Sequence, residues 1–152
     1  MPASSSYCLH VQRATRYSPA PTTAQLKNWA KTVLLPLTLQ AEITLRIVDI
    51  AEMTQLNEYY RHKEGATNVL SFPIDAPPLI GDIVFCADII DREAREQDKL
   101  LDAHWAHLLI HGILHLLGYN HEDDHDAALM EKKEISLMAL LSFPNPYQTS
   151  KD

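Results

Sequence analysis

His111 and His115 stand four residues apart, ahead of a glycine and a third histidine, in the run HGILHLLGYNH at positions 111–121. On a helix, residues four apart lie on one face a turn apart, so both imidazoles can reach a single ion. Gly118 is placed to end that helix, because a glycine readily takes the left-handed conformation that turns the chain back. That turn could bring His121 to the same ion. Three neutral imidazoles suit zinc or a similar borderline transition ion; magnesium demands oxygen ligands. Nickel, cobalt or iron would accept the same three rings. Three protein ligands also leave a fourth position for water, which marks a catalytic zinc rather than a structural one.

Six of the eight histidines fall between His104 and His125, so the others need roles of their own. His107 lies one turn before His111 on the same face and can ligate, support a ligand through a hydrogen bond, or simply pack. His125 is a fourth-ligand candidate but reads more simply as the exposed start of a helix. Glu122, Asp123, Asp124 and Asp126 suit a helix N-terminus, where acids complement the dipole. His104 and His10 are assigned no role. The histidine spacing is also that of the HExxHxxGxxH metalloproteases, in which the glutamate after the first histidine is the general base. Here that position is Gly112, and peptide hydrolysis by that route loses a proton acceptor worth typically about 10²–10⁴ in rate.

A phosphodiester is an electrophile better matched to such a site, provided that a cation offsets charge on the phosphoryl oxygens. Arg61 is the candidate: it follows a helix and opens a polar loop in YYRHKEGATNVLSFP, and a guanidinium fits phosphate bidentately. An arginine at a helix C-terminus also has a plainer explanation as a complement to the helix dipole.

The elements that must position these groups follow from periodicity. Tyr7, Leu9 and Val11 alternate in a strand that reaches Ala14, and Ile43, Leu45 and Ile47 in a second. Val69 to Phe72, closed by Pro73, and Ile83 to Cys86 suit two more. Thr22 or Thr23 can cap a helix carrying Leu26, Trp29, Ala30 and Val33, which Pro36 stops. Further helices are expected at about 51–60 (with Met53, Leu56 and Tyr60 at core spacing), 87–97, 102–117 and 124–141. This predicts one α+β domain, a small mixed sheet of about four strands packed with about five helices, spanning residues 7–143 between tails at 1–6 and 144–152. The metal site falls on a helix of the C-terminal half and the turn after it.

The chain's 152 residues, 46% hydrophobic and 22% charged, allow one sizeable core. Cys8 and Cys86 lack the spacing of a zinc ribbon or a disulfide framework and read as reduced thiols. No stretch approaches the roughly 20 apolar residues that span a bilayer, and the N-terminus lacks a signal peptide's basic and apolar regions, so a cytoplasmic protein is expected. A net charge of −7 disfavours a general nucleic-acid binder. Residues 1–48, however, hold Arg13, Arg16, Lys27, Lys31 and Arg46 against the single acid Glu42, enough for a local phosphate-facing patch or merely a scatter of solvated cations.

Two motifs carry a family resemblance: HGILHLLGYNH at 111–121, preceded by WAHLLI at 105–110, and LNEYYRHKEGATNVLSFP at 56–73, followed by Gly81, Asp82 and Ile83. In both the chain resembles the YbeY endoribonucleases, bacterial rRNA maturation factors, and the similarity extends from the first strand to the last helix. The resemblance implies a single-strand-specific, metal-dependent endoribonuclease, usually described with zinc. It implies action on the 3′ end of small-subunit 16S rRNA and in ribosome quality control, with the ribosome or its small subunit as partner. By position, His111, His115 and His121 match the family's metal ligands and Arg61 its arginine beside the metal. The family commonly reads GYDH where this chain has Gly118-Tyr119-Asn120-His121. Asn120 can still hydrogen-bond in support of a ligand but cannot serve as a base at neutral pH. At position 68 the family uses Asn or Asp.

Two other functions compete. A non-enzymatic ribosome assembly factor would use the metal only to hold its fold and would close the coordination sphere with a fourth ligand, His107 or His125. A metalloprotease would need a carboxylate from elsewhere in the chain.

Overall fold

The structure, a computed structural model, describes residues 6–37, 40–74 and 79–148. Four strands form one mixed sheet: β1 (Ser6–Arg13), β2 (Gln40–Val48), β3 (Val69–Ile74) and β4 (Leu79–Cys86). Their order is β1-β2-β4-β3, parallel between β1, β2 and β4, with β3 antiparallel on the far edge of β4. Five helices, α1 (Thr23–Leu34), α2 (Ile50–Arg61), α3 (Ala87–Glu96), α4 (Leu101–Leu116) and α5 (Asp124–Leu140), complete the α+β fold expected from the pattern.

The period of two in the strands divides their side chains between two cores. Ile43, Leu45 and Ile47 of β2 and Ile83 and Phe85 of β4 meet Leu26 and Val33 of α1, Met130 and Leu137 of α5, and α4 throughout. Val84 and Cys86 turn to the opposite face, against Met53 of α2 and Leu70 of β3. Helix α4 is buried nearly all round, with Trp105, Leu109, Ile110 and Ile113 fully enclosed. Each such side chain contributes roughly 1.5–3 kcal/mol of hydrophobic stabilisation. The site motif is therefore set on the most firmly held helix of the domain.

Local signals begin the helices as expected. Thr22 accepts from the Gln25 amide while the Gln25 side chain accepts from the Thr22 amide, a capping box at the start of α1. Asp123 caps α5 by accepting from the Asp126 amide, with Asp124 and Asp126 in the first turn.

Some details differ from the sequence reading. Strand β3 runs through Pro73 to Ile74, which its place on the sheet edge permits, since proline's missing donor there leaves no ladder bond unmade. In α2 the core position is taken by Asn57, and Tyr60 is 55% exposed. Of the supposed tails, Ser6 already belongs to β1 and residues 1–5 lie outside the described ones. Residues 144–148 lie against the body of the domain: Lys99 Nζ donates to the Pro146 carbonyl at 2.9 Å, and the Tyr147 hydroxyl donates to Glu134. Cys8 and Cys86 are free thiols, the second buried. Among the described residues no helix is long and apolar enough to cross a membrane.

Candidate metal centre

Helix α4 ends as Gly118 allows. Gly118 sits at φ 104°, its amide donates to the His115 carbonyl, and the Tyr119 amide reaches back to Leu114, both at 3.0 Å. This paired arrangement closes the last turn and reverses the chain. Asn120 then accepts from the Glu122 amide at 3.0 Å, a side-chain-closed turn around His121. That bond serves the backbone and not a ligating ring, and asparagine makes it as an aspartate would.

These turns bring His111, His115 and His121 together, each offering one ring nitrogen and all three nitrogens lying within 4.8 Å of one another. The Nε2 atoms of His111 and His115 are 3.1 Å apart. Nitrogens around a tetrahedral zinc, at roughly 2.0–2.1 Å from it, stand about 3.4 Å from each other, so the pair is already at ligating separation. Burial above all, then the neighbouring His111 and His121 rings, lowers the His115 pKa to about 4. The ring is thus neutral, as ligation requires, across the physiological range. His111 and His115 are half-buried and His121 is exposed, which leaves one side of the cluster facing solvent.

Neither His107 nor His125 joins the cluster among the described residues. His125 is exposed at the start of α5. His107 turns its Nε2 toward Glu134, 3.4 Å from Oε2 and out of line for a hydrogen bond. Glu134 is the residue that sequence reasoning missed. It is wholly buried, its Oε2 lies 2.7 Å from His111 Nδ1, and its Oε1 accepts the Tyr147 hydroxyl proton. Burial opposes its ionisation but is outweighed by the nearby His107 ring and by the hydrogen bonds from His111 and Tyr147, which hold its pKa down to about 2. A signal was available: Glu134 falls at core spacing between Met130 and Leu137–Met138, an acid on the apolar stripe of α5. Tyr147, on the segment after that helix, carried none.

Gly112, where the proteases place their glutamate, faces the sheet. A Cβ there would come 2.9 Å from Ile83 Cγ2 and 3.2 Å from Ser71 Oγ. The position that would hold a general base is filled by close helix–sheet packing. Gly112→Ala is expected to lower stability by about 1–3 kcal/mol, read as an earlier urea midpoint with the same slope.

Arg61 ends α2, exposed, with its side chain engaged by no hydrogen bond or ion pair among the described residues. The preceding Tyr60 packs edge-on against Phe72 of β3, ring centroids 5.2 Å apart. Helix α4 meets the preceding residue of that strand from the other face, Ser71 Oγ donating to the Gly112 carbonyl at 3.4 Å. The loop from Arg61 to β3 is pinned: Asn57 Nδ2 donates to the Gly65 carbonyl and Asn68 Nδ2 to Glu93, both at 2.9 Å. Buried His104, given no role by the sequence, holds the same Glu93 carboxylate through Nε2 at 2.9 Å. His10 remains a surface residue, 3.2 Å from Glu42.

Fold and site define a class: a single-domain α+β protein with a half-open three-histidine cluster that could hold a metal ion. The family model described as endoribonuclease YbeY matches residues 12–142, and the chain belongs to that family. Endoribonuclease YbeY of Pseudomonas entomophila is 52% identical over 145 residues, covering 91% of this chain and 92% of that protein. Its counterpart from Nitrosococcus oceani is 44% identical over 151 residues, 95% and 99% of the two chains. A Thermotoga maritima protein solved in solution superposes with a TM-score of 0.60 over 93% of this chain and 99% of its own. At 21% identity it speaks for the fold alone.

Proposed function

We propose that this protein is a metal-dependent endoribonuclease selective for single-stranded RNA, acting in the cytoplasm on the 3′ end of 16S rRNA and in quality control of the small ribosomal subunit. The observation that carries the chemistry is the half-open cluster of His111, His115 and His121 in a chain of the endoribonuclease YbeY family. Zinc is the ion we favour for three imidazoles. Bound there, it would supply Lewis-acid activation of water and of a phosphoryl oxygen. The protein's part is to hold the three rings convergent, with His115 kept neutral by its burial, and to keep one side open. Arg61 would bind a phosphodiester bidentately and offset the charge that develops on it; its exposed guanidinium, unpaired among the described residues, supports that reading.

Burial of the position after His111 against Ile83 and Ser71 works against a protease. The lack of a fourth ligand among the described residues works against a purely structural ion. The test uses one RNA in single-stranded and duplex form, and a 16S rRNA precursor extended at its 3′ end. With one equivalent of zinc, the protein should cut the single strand and the precursor's extension while sparing the duplex. A chelator should stop the reaction and added zinc restore it. Cutting that is indifferent to the chelator, or no cutting of either form, refutes the proposal.

A further inference from the structure

The cluster is served by a second group of residues drawn from other parts of the fold. Glu134 of α5 is fully buried, yet its carboxylate has a polar group at each oxygen: His111 Nδ1 at 2.7 Å from Oε2, with His107 Nε2 3.4 Å from that atom, and the Tyr147 hydroxyl on Oε1. The other nitrogen of the same His111 ring, Nε2, is the one that faces His115 Nε2. The imidazole is therefore held between the carboxylate on one side and the ligand cluster on the other.

Stability does not account for this acid. Glu134 occupies a core position of α5 between Met130 and Leu137, and a buried charged pair is weak evidence for stability, since apolar residues of similar volume in place of the whole pair are often neutral or stabilising. Its position is accounted for by what it does to His111. An acceptor against Nδ1 keeps the ring proton there and leaves the Nε2 lone pair for a metal.

We propose that Glu134, braced by Tyr147 from the segment after α5, is a positioning residue for the metal centre, fixing the tautomer and the orientation of His111. The inference rests on the metal-binding reading of the cluster and adds that the stretch after Phe143 belongs functionally to the site. Tyr147 limits rotation of the carboxylate, and Lys99 pins the backbone at Pro146 that carries it.

The test measures zinc affinity by calorimetry and the His111 tautomer by ¹⁵N NMR of the zinc-free protein, both independent of RNA cleavage. Wild type should bind one zinc and show the proton on Nδ1. Glu134→Met, which suits the apolar stripe, should fold, lose the Nδ1–H preference and bind zinc about 10–100-fold more weakly. Glu134→Gln, whose amide oxygen can still accept from Nδ1, should keep the tautomer and recover part of the affinity. Tyr147→Phe should weaken zinc several-fold. A Glu134→Met protein with wild-type tautomer and affinity overturns the inference while leaving the metal centre intact; should that variant not fold, unchanged affinity in Tyr147→Phe does so. Wild type that binds no zinc refutes the metal reading itself.

Discussion

Replacing His111 by alanine is expected to reduce RNA cleavage by roughly 10³-fold or more and to lower zinc occupancy with it. Two effects add. The cluster drops from three nitrogens to two, the surviving pair, His115 and His121, having ring centroids 5.1 Å apart and no third imidazole to complete the set. Lewis-acid activation supplies several kcal/mol of transition-state stabilisation, and each 1.36 kcal/mol is tenfold in rate. The substitution also leaves the wholly buried Glu134 without its 2.7 Å partner, at a cost of about 1–3 kcal/mol in stability. Cleavage, zinc stoichiometry and thermal unfolding measured on one preparation separate the two. Undiminished cutting by the folded variant would remove the basis of the proposed activity.

Arg61→Ala is expected to lose about 10²–10³ in rate, the size found when one preorganised donor to a developing oxyanion is removed, with no change in zinc affinity. Stability should hold as well, since the side chain is exposed and engaged by no hydrogen bond or ion pair among the described residues. Arg61→Lys should restore little, because an ammonium lacks the planar fork that meets two phosphoryl oxygens together. Single-turnover rates at saturating RNA distinguish loss in the chemical step from loss of binding. A fall confined to KM would make Arg61 a docking residue.

The contrast between these two residues follows what was legible beforehand. The histidine cluster could be read from spacing because each step is local: four residues make a helical turn, a glycine reverses the chain, and three more residues return to the same point. The fold class was legible for a similar reason, since Ile43, Leu45 and Ile47 alternate and Leu26, Trp29, Ala30 and Val33 recur at helical spacing. Tyr60 misled, because core spacing marks a face of α2 but not how fully the sheet covers it: its ring packs on Phe72 yet stays 55% exposed.

Residue order alone thus settled which rings can converge and on what kind of element. Tertiary packing decided the rest: α5 and the segment after it set Glu134 and Tyr147 behind His111, and α4 against the sheet sets Gly112 on Ile83, leaving no space for a base. Spacing marks Glu134 as an acid on the apolar stripe of α5, but not what it meets there. Its partners His111 and Tyr147 come from other segments, and no run of neighbouring residues encodes such long-range contacts.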